Sequence, residues 1–107
     1  MERRLIVARM DPGDAQSVAE VFAESDAGAL PGLIGVTGRS LFHYNGLYFH
    51  LIEAETSVRE RIDAKKTDPL FQDVSRKLEP YIAPYDPQTW QGPADAMATR
   101  FYSWRAK

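Results

Sequence analysis

The dipeptide Asn45-Gly46, which separates two runs rich in apolar and aromatic residues, constrains the fold of this chain more than any other feature of its sequence. Asparagine and glycine both tolerate the positive φ angles that a two-residue type I′ hairpin turn requires. A turn here fixes the register of the two strands and places Arg39 opposite Ile52. Opposed residues share a face and alternate residues keep it, so Arg39 and His50 become diagonal neighbours with Cα atoms roughly 7–8 Å apart. The hairpin therefore predicts a cation beside an imidazole on an otherwise apolar sheet.

Length and composition limit the classes of protein that need to be considered. The chain has 107 residues, 44% of them hydrophobic and 11% aromatic, which favours one globular domain spanning residues 1–107. The net charge of −2 gives no electrostatic reason to expect nucleic acid or an anionic membrane as a partner. The chain has no cysteine, which excludes disulfides and a thiolate nucleophile. It has no apolar run of signal-peptide or transmembrane length, so we expect a soluble cytoplasmic protein.

Hydrophobic periodicity and capping residues predict the other elements and their order. The predicted elements are a strand at 4–10, a helix at 15–26, a turn at 30–32, hairpin strands at 34–44 and 47–55, helices beginning at Thr56 or Ser57 and at Asp68-Pro69, a loop from 80 to about 96, and a last strand at 99–105. This order is that of the ferredoxin-like βαββαβ plan, an α+β fold with a four-stranded antiparallel sheet and helices on one face.

The second face of the predicted hairpin is also apolar. Its residues are Phe42, Tyr44, Leu47, Phe49 and Leu51. Helices on one side of the sheet would leave these side chains as a large exposed patch. A second copy of the chain is the simplest cover, so we expect a homodimer whose sheets pack face to face.

Asp26 and Arg39 are candidate functional residues, each with an ordinary structural alternative. Asp26 continues the helical stripe of Val18 and Phe22 toward the helix C-terminus, where the dipole disfavours a carboxylate. It is either a solvated helix end or a carboxylate that faces the space between helix and sheet and is held by Arg39. Arg39 itself can lie along the sheet with its head in water, and a bulge at Gly38 would move it to the other face.

His50 is the best acid–base candidate, because the ordinary pKa of histidine is about 6.5. A histidine on an apolar face is, however, more often a core residue than a catalyst. His43 shares the face but adjoins the turn, and no carboxylate falls at ligand spacing from the two imidazoles, so we predict no metal site. Phosphate-binding loops, nucleophile elbows and dinucleotide fingerprints are absent from the sequence. Trp90 lies in the long loop, where a lid over a cavity is a reasonable expectation.

Seven blocks of the sequence resemble the tetracenomycin-type aromatic polyketide cyclases. These blocks are Arg9-Met-Asp-Pro12, Val21-Phe-Ala-Glu-Ser-Asp26, Leu30-Pro31, Leu47-Tyr-Phe-His-Leu-Ile-Glu53, Asp68-Pro-Leu-Phe-Gln72, Tyr81-Ile-Ala-Pro-Tyr85 and Phe101-Tyr-Ser-Trp104. They follow one another in order over nearly the whole chain, which is more specific than any one of them. One departure is Ser25, which stands where the family pattern has histidine.

The resemblance implies a dimeric α+β barrel and a cofactor-free cyclase that closes a ring in a poly-β-ketone intermediate by intramolecular aldol condensation with loss of water. It aligns the family's implicated polar residues with Asp26, Arg39 and His50. The partners it implies are an aromatic polyketide intermediate, a second copy of the chain and, as a further candidate, the acyl carrier protein of a type II polyketide synthase. The residues expected to bind substrate in a pocket between helices and sheet are Phe22, Leu41, Tyr48, Ile52 and Trp90.

Two other functions are compatible with the same residues. The first is a cofactor-independent monooxygenase that oxidises an anthrone-like aromatic, because one fold hosts many functions. The second is a non-catalytic protein that binds the polyketide and steers its spontaneous chemistry. Oxygen uptake would distinguish the first from a cyclase, and product distributions with active and pocket-blocked protein would distinguish the second.

Overall fold

The predicted hairpin forms in a computed structural model, which describes residues 2–55, 57–90 and 93–106 of the chain. Asn45 and Gly46 have φ angles of 50° and 76°, as a type I′ turn requires. Tyr44 pairs with Leu47, and the ladder continues in the predicted register as far as Gly38. The pairing inferred from the turn is therefore confirmed.

The described elements form one antiparallel sheet with helices. They are β1 (Glu2–Met10), α1 (Ala15–Asp26), α2 (Leu30–Ile34), β2 (Val36–Tyr44), β3 (Leu47–Ala54), α3 (Val58–Lys65), α4 (Pro69–Leu78) and β4 (Ile82–Pro84), with 3-10 turns at Pro12–Asp14 and Pro93–Ala96. The strand order is β2-β3-β1-β4, and every neighbouring pair is antiparallel. This is the ferredoxin-like α+β arrangement that the sequence predicted.

Helix boundaries follow from capping side chains. The hydroxyl of Ser57 accepts a hydrogen bond from the backbone N–H of Glu60 at the start of α3. Asp68 does the same for Leu70 at the start of α4, 2.9 Å away, with a proline in the first turn. Both starts were predicted, and Thr56, the alternative start of α3, lies outside the described residues. None of the helices in the described residues combines the length and apolar character needed to span a bilayer.

The segment predicted as a turn at 30–32 is wrong in detail, because it forms the short helix α2. Pro31 fits the first turn of a helix, where its missing N–H would have had no partner. Gly35, with a φ of 83°, ends the helix in the left-handed conformation that glycine adopts without strain. The following strand consequently begins at Val36 rather than at residue 34.

The predicted last strand at 99–105 is also wrong. The fourth strand is β4, which lies inside the segment predicted as a loop and pairs with the end of β1. The chain returns to β1 at one bridge, Met97 to Ile6, and the N–H of Ala98 donates to Leu5. Residues 98–106 then have no regular structure. Alternation of side chains predicts which faces a strand would present, but a strand forms only where an edge supplies hydrogen bonds.

The two faces of the sheet differ in burial. Along β3 the even-numbered residues are buried beneath the helices, and the odd-numbered residues are only half-buried. On the second face of the hairpin, Phe42 is 54% exposed and Tyr44 is 68% exposed. The sequence prediction that helices would leave this face uncovered is confirmed for the described residues.

Candidate active site

Arg39 is the centre of a polar cluster on the helix-facing side of the sheet. The irregularity in β2 lies between Val36 and Gly38, so it ends before Arg39 and leaves it paired with Ile52. The bulge considered at Gly38 therefore does not move Arg39 to the other face. Its side chain is only 14% exposed, so its head does not extend into bulk water.

Asp26, the last residue of α1, holds Arg39 from the helix side. The Nε of Arg39 donates to the two carboxylate oxygens of Asp26 at 3.2 and 3.1 Å, and Nη2 donates to Oδ1 at 2.8 Å. This is the forked geometry in which a guanidinium binds a carboxylate strongly. The Asp26 side chain is 39% exposed, so water screens part of the attraction. Of the two alternatives for Asp26, the structure shows the carboxylate held by Arg39.

His50 contacts the other end of the same guanidinium. Nη1 of Arg39 lies 2.7 Å from Nε2 of His50. Arginine has donors only, so Nε2 must be the acceptor, and the ring proton is assigned to Nδ1. The contact that the sequence predicted from register alone is present, and it also fixes the tautomer of the imidazole.

The environment of His50 keeps its ring uncharged. The residue is 6% exposed, and burial, followed by the positive charge of Arg39, lowers the pKa of His50 to about 3. A base at Nε2 would need a free lone pair and a pKa near the working pH, and this nitrogen has neither. The geometry instead suits His50 for holding Arg39 and for donating through Nδ1.

Phe22 of α1 packs against both the guanidinium of Arg39 and the ring of His50. Its ring centroid lies 4.7 Å from Cζ of Arg39 and 5.0 Å from the centroid of His50, with the two rings at 60°. A guanidinium over an aromatic face gains a cation–π attraction that is stronger away from water. The observed contacts use one N–H on each nitrogen of the guanidinium, so each terminal nitrogen has a second N–H for a bound oxygen.

Arg39 and His50 line a cavity of about 1200 Å³ between the sheet and the helices. The predicted substrate-binding residues that line it are Phe22, Tyr48, Ile52 and Trp90. Ser25, at the position where the sequence departs from the family pattern, also lines the cavity, whereas its neighbour Asp26 does not. Asp26 is linked to the cavity through its contact with Arg39, which does line it.

Leu41 is not among the residues that line the cavity, and its role as a substrate contact stays a prediction. It lies on the edge strand β2 and packs into the cluster formed by Val18, Phe22 and Tyr48. Helix α1 packs against this corner of the sheet through Val18 and Phe22, and residues of α3 and α4 also line the cavity. Register placed Leu41 on the correct face but did not show where along that face the helices leave space.

Sequence reasoning missed the charged wall that α3 contributes. Arg59, Asp63 and Lys66 line the cavity at i, i+4 and i+7, around the buried Ile62. The signal was present, because these positions follow the same helical stripe as the apolar residue that anchors the helix. In the described residues, no three side chains of the metal-binding types lie close enough together to hold an ion.

A profile of the polyketide synthesis cyclases matches residues 2–105. The chain belongs to this family. It is 52% identical over 104 residues to polyketide synthase CurG of Streptomyces cyaneus, with 97% of each chain covered. It is 47% identical over 104 residues to tetracenomycin F2 cyclase of Streptomyces glaucescens, covering 97% of this chain and 94% of that protein.

The fold gives the same result. The solved structure of tetracenomycin F2 cyclase, a type II polyketide cyclase, matches with a TM-score of 0.92 at 46% identity, and the match covers 100% of both chains. The resemblance drawn from the sequence blocks is therefore confirmed, and so is a polyketide cyclase function. The cavity with its Arg39 cluster is the candidate active site of this cyclase.

Proposed function

We propose that this cyclase closes a ring in an aromatic polyketide intermediate by intramolecular aldol condensation and dehydration, without a cofactor. The observation that carries the proposal is the pairing of Arg39 and an uncharged His50 at the wall of a largely apolar cavity of about 1200 Å³. The guanidinium of Arg39 has N–H groups that are not used in the observed contacts and that can stabilise an oxygen anion. An apolar cavity is suited to binding a hydrophobic, flexible polyketide chain.

The reaction needs little from an acid or a base. A methylene between two carbonyls loses a proton readily. The resulting enolate carbon attacks the carbon of another carbonyl along the polyketide, and the oxygen of the attacked carbonyl becomes an alkoxide. The proton lost from carbon is returned to the alkoxide through water, and elimination of water then leaves the new double bond. Arg39 stabilises the enolate or alkoxide oxygen as charge develops, Asp26 fixes Arg39, and His50 holds Nη1 from the other side.

The larger contribution is the choice of one conformation among many. Holding the reacting carbons in contact can supply about 7–11 kcal/mol in well-oriented systems. The residues assigned to this task are the cavity walls Phe22, Tyr48, Ile52 and Trp90. We therefore expect substitutions of these walls to change which product forms, and substitutions of the polar residues to slow the reaction without abolishing it.

The test is a cyclisation assay with a poly-β-ketone substrate, followed by absorbance and by mass spectrometry for loss of water. Ring closure without oxygen uptake supports the cyclase, and oxygen uptake supports the monooxygenase. A product distribution that differs from that with heat-inactivated protein, at an unchanged rate of ring closure, supports the non-catalytic alternative. Replacement of His50 by alanine should cost less than a thousandfold in rate, about 4 kcal/mol. A larger loss would contradict the shared roles assigned here.

Two partners belong to the same proposal. The half-exposed second face of the sheet, with Phe42 and Tyr44, is assigned to a second copy of the chain, which gives the dimeric α+β barrel. An acyl carrier protein is assigned to delivery of the substrate. Faster turnover of carrier-tethered than of free substrate supports the carrier as a partner, and equal turnover counts against it.

A further inference from the structure

Tyr48 is a buried tyrosine on the same face of β3 as His50. It is 4% exposed and packs in a cluster with Ala8, Val18 and Phe22. Its ring centroid lies 6.2 Å from that of His50. Hydrophobic packing accounts for the aromatic ring of Tyr48 in the core, but it does not account for the presence of a hydroxyl group on that ring.

The hydroxyl of Tyr48 has no hydrogen-bond partner among the described residues, whereas buried tyrosines usually find one. Among the residues that the structure describes, every fully buried side-chain nitrogen or oxygen has a hydrogen-bond partner. The Tyr48 oxygen must therefore keep some accessible surface. Because the residue is nearly buried and lines the cavity, that surface is most simply assigned to the cavity.

We infer that the Tyr48 hydroxyl donates a hydrogen bond to an oxygen of the bound polyketide, as a second polar contact beside the Arg39 cluster. Burial raises the pKa of Tyr48 well above that of a free phenol, against a smaller opposing effect of Arg39, so the group stays protonated and remains a donor. A polyketide carries oxygens at regular intervals along its chain. The Tyr48 hydroxyl on β3 and the Arg39 guanidinium on the neighbouring strand β2 lie on the same face of the sheet, so together they can bind two of those oxygens and select which carbonyl meets Arg39. This inference rests on the proposed function and extends it to substrate register.

The test compares Tyr48→Phe with Tyr85→Phe, which removes the same hydroxyl from an exposed tyrosine that does not line the cavity. Binding is measured first, without any turnover, by quenching of tryptophan fluorescence with a soluble dihydroxyanthraquinone, because Trp90 lines the cavity. Loss of one neutral hydrogen bond predicts about 3- to 10-fold weaker binding for Tyr48→Phe and no change for Tyr85→Phe. Thermal denaturation of the unliganded protein is the second measurement. The melting temperature should be unchanged or raised in Tyr48→Phe, because the hydroxyl stabilises nothing in the free chain.

The third measurement is the product distribution in the cyclisation assay, which should broaden in Tyr48→Phe. Equal affinity in wild type and Tyr48→Phe would overturn the inference. A fall in affinity accompanied by a lower melting temperature, or by failure to fold, would also overturn it, because the hydroxyl would then have a structural role. If the wild type shows no cyclase activity but Tyr48→Phe still weakens binding, the proposed function fails and the Tyr48 contact stands.

Discussion

At the scale of single residues, the chemistry proposed for this cyclase depends on how Arg39 is held. A guanidinium on an edge strand would normally be mobile, but here Asp26, His50 and Phe22 contact it from three directions. A cation fixed in advance does not have to reorient when charge develops on a substrate oxygen, which is the main requirement for electrostatic stabilisation.

Replacement of Asp26 by asparagine tests whether this support matters. The variant removes the charge that orients Arg39 but leaves the cavity lining unchanged, so we expect a roughly 3- to 10-fold lower kcat. Because Asp26 is 39% exposed, the stability change should be below about 1 kcal/mol. Glu24→Gln is the matched control, since it removes another ion pair of α1, to Lys77, that lies on the surface. Equal activity of the Asp26 and Glu24 variants would show that the support is dispensable.

The buried, uncharged His50 makes stability depend on pH in a defined direction. Its pKa is lowered to about 3 in the folded chain, and an unfolded histidine titrates near 6.5. Between these values the unfolded state binds more protons, so stability is full above pH 6.5 and falls as the pH is lowered, by roughly 1 kcal/mol per pH unit. Denaturant titrations at several pH values check this expectation.

The control for that experiment separates His50 from all other groups. His50→Gln should lose this part of the acid dependence, whereas His43→Gln, at an exposed position beside the turn, should keep it. If the two variants follow the same acid profile as each other, His50 is not the group responsible.

At the scale of secondary-structure elements, the hairpin sets the geometry of the site. Its turn fixes which residues of β2 and β3 are opposite, and the irregularity between Val36 and Gly38 is confined to the far end of β2. Arg39 and His50 therefore share a face of the sheet as a consequence of the turn at Asn45 and Gly46, although neither turn residue contacts them.

Replacement of Gly46 by alanine tests the turn. Gly46 has a φ of 76°, and no atom lies within 4 Å of the position that a Cβ would occupy, so the penalty is backbone strain alone, about 1 kcal/mol. Gly32→Ala in α2 is the control, because its Cβ position is equally open but its φ is not positive, so the change should be neutral or slightly stabilising. Equilibrium denaturation measures both, and equal stabilities would contradict the strain argument.

At the scale of the whole molecule, two apolar regions have no cover within the described chain. One is the second face of the sheet, and the other is the segment after Ala98, where Phe101 is 97% exposed and Trp104 is 75% exposed. Soluble monomers rarely expose apolar surface of this extent without a binding role. The proposed second copy of the chain accounts for both regions.

Replacement of Phe42 by glutamate tests this assembly. Phe42 is 54% exposed in the single chain, so a charge there should cost an isolated chain little, but it should separate two packed sheets. We expect analytical ultracentrifugation to give a dimer for the wild type and a monomer for Phe42→Glu. Ala19→Glu, at an exposed position on α1, should remain a dimer. A monomeric wild type would refute the assembly.

The sequence alone determined the features that depend on neighbours along the chain. The type I′ turn, the cap at Asp68, the limits of α1 and the shared face of Arg39 and His50 follow from local backbone preferences and from strand alternation. The start of α3 was predicted only as Thr56 or Ser57. Tertiary structure decided the rest. The fourth strand formed at Ile82–Pro84 because that segment reached a free edge of β1, and the cavity left Leu41 outside because α1 covered it. The neutral state of His50 also required its burial beside Arg39. The free edge of β1, the cavity between sheet and helices and the burial of His50 all depend on contacts between segments that are distant in the sequence, so residue types alone do not predict them.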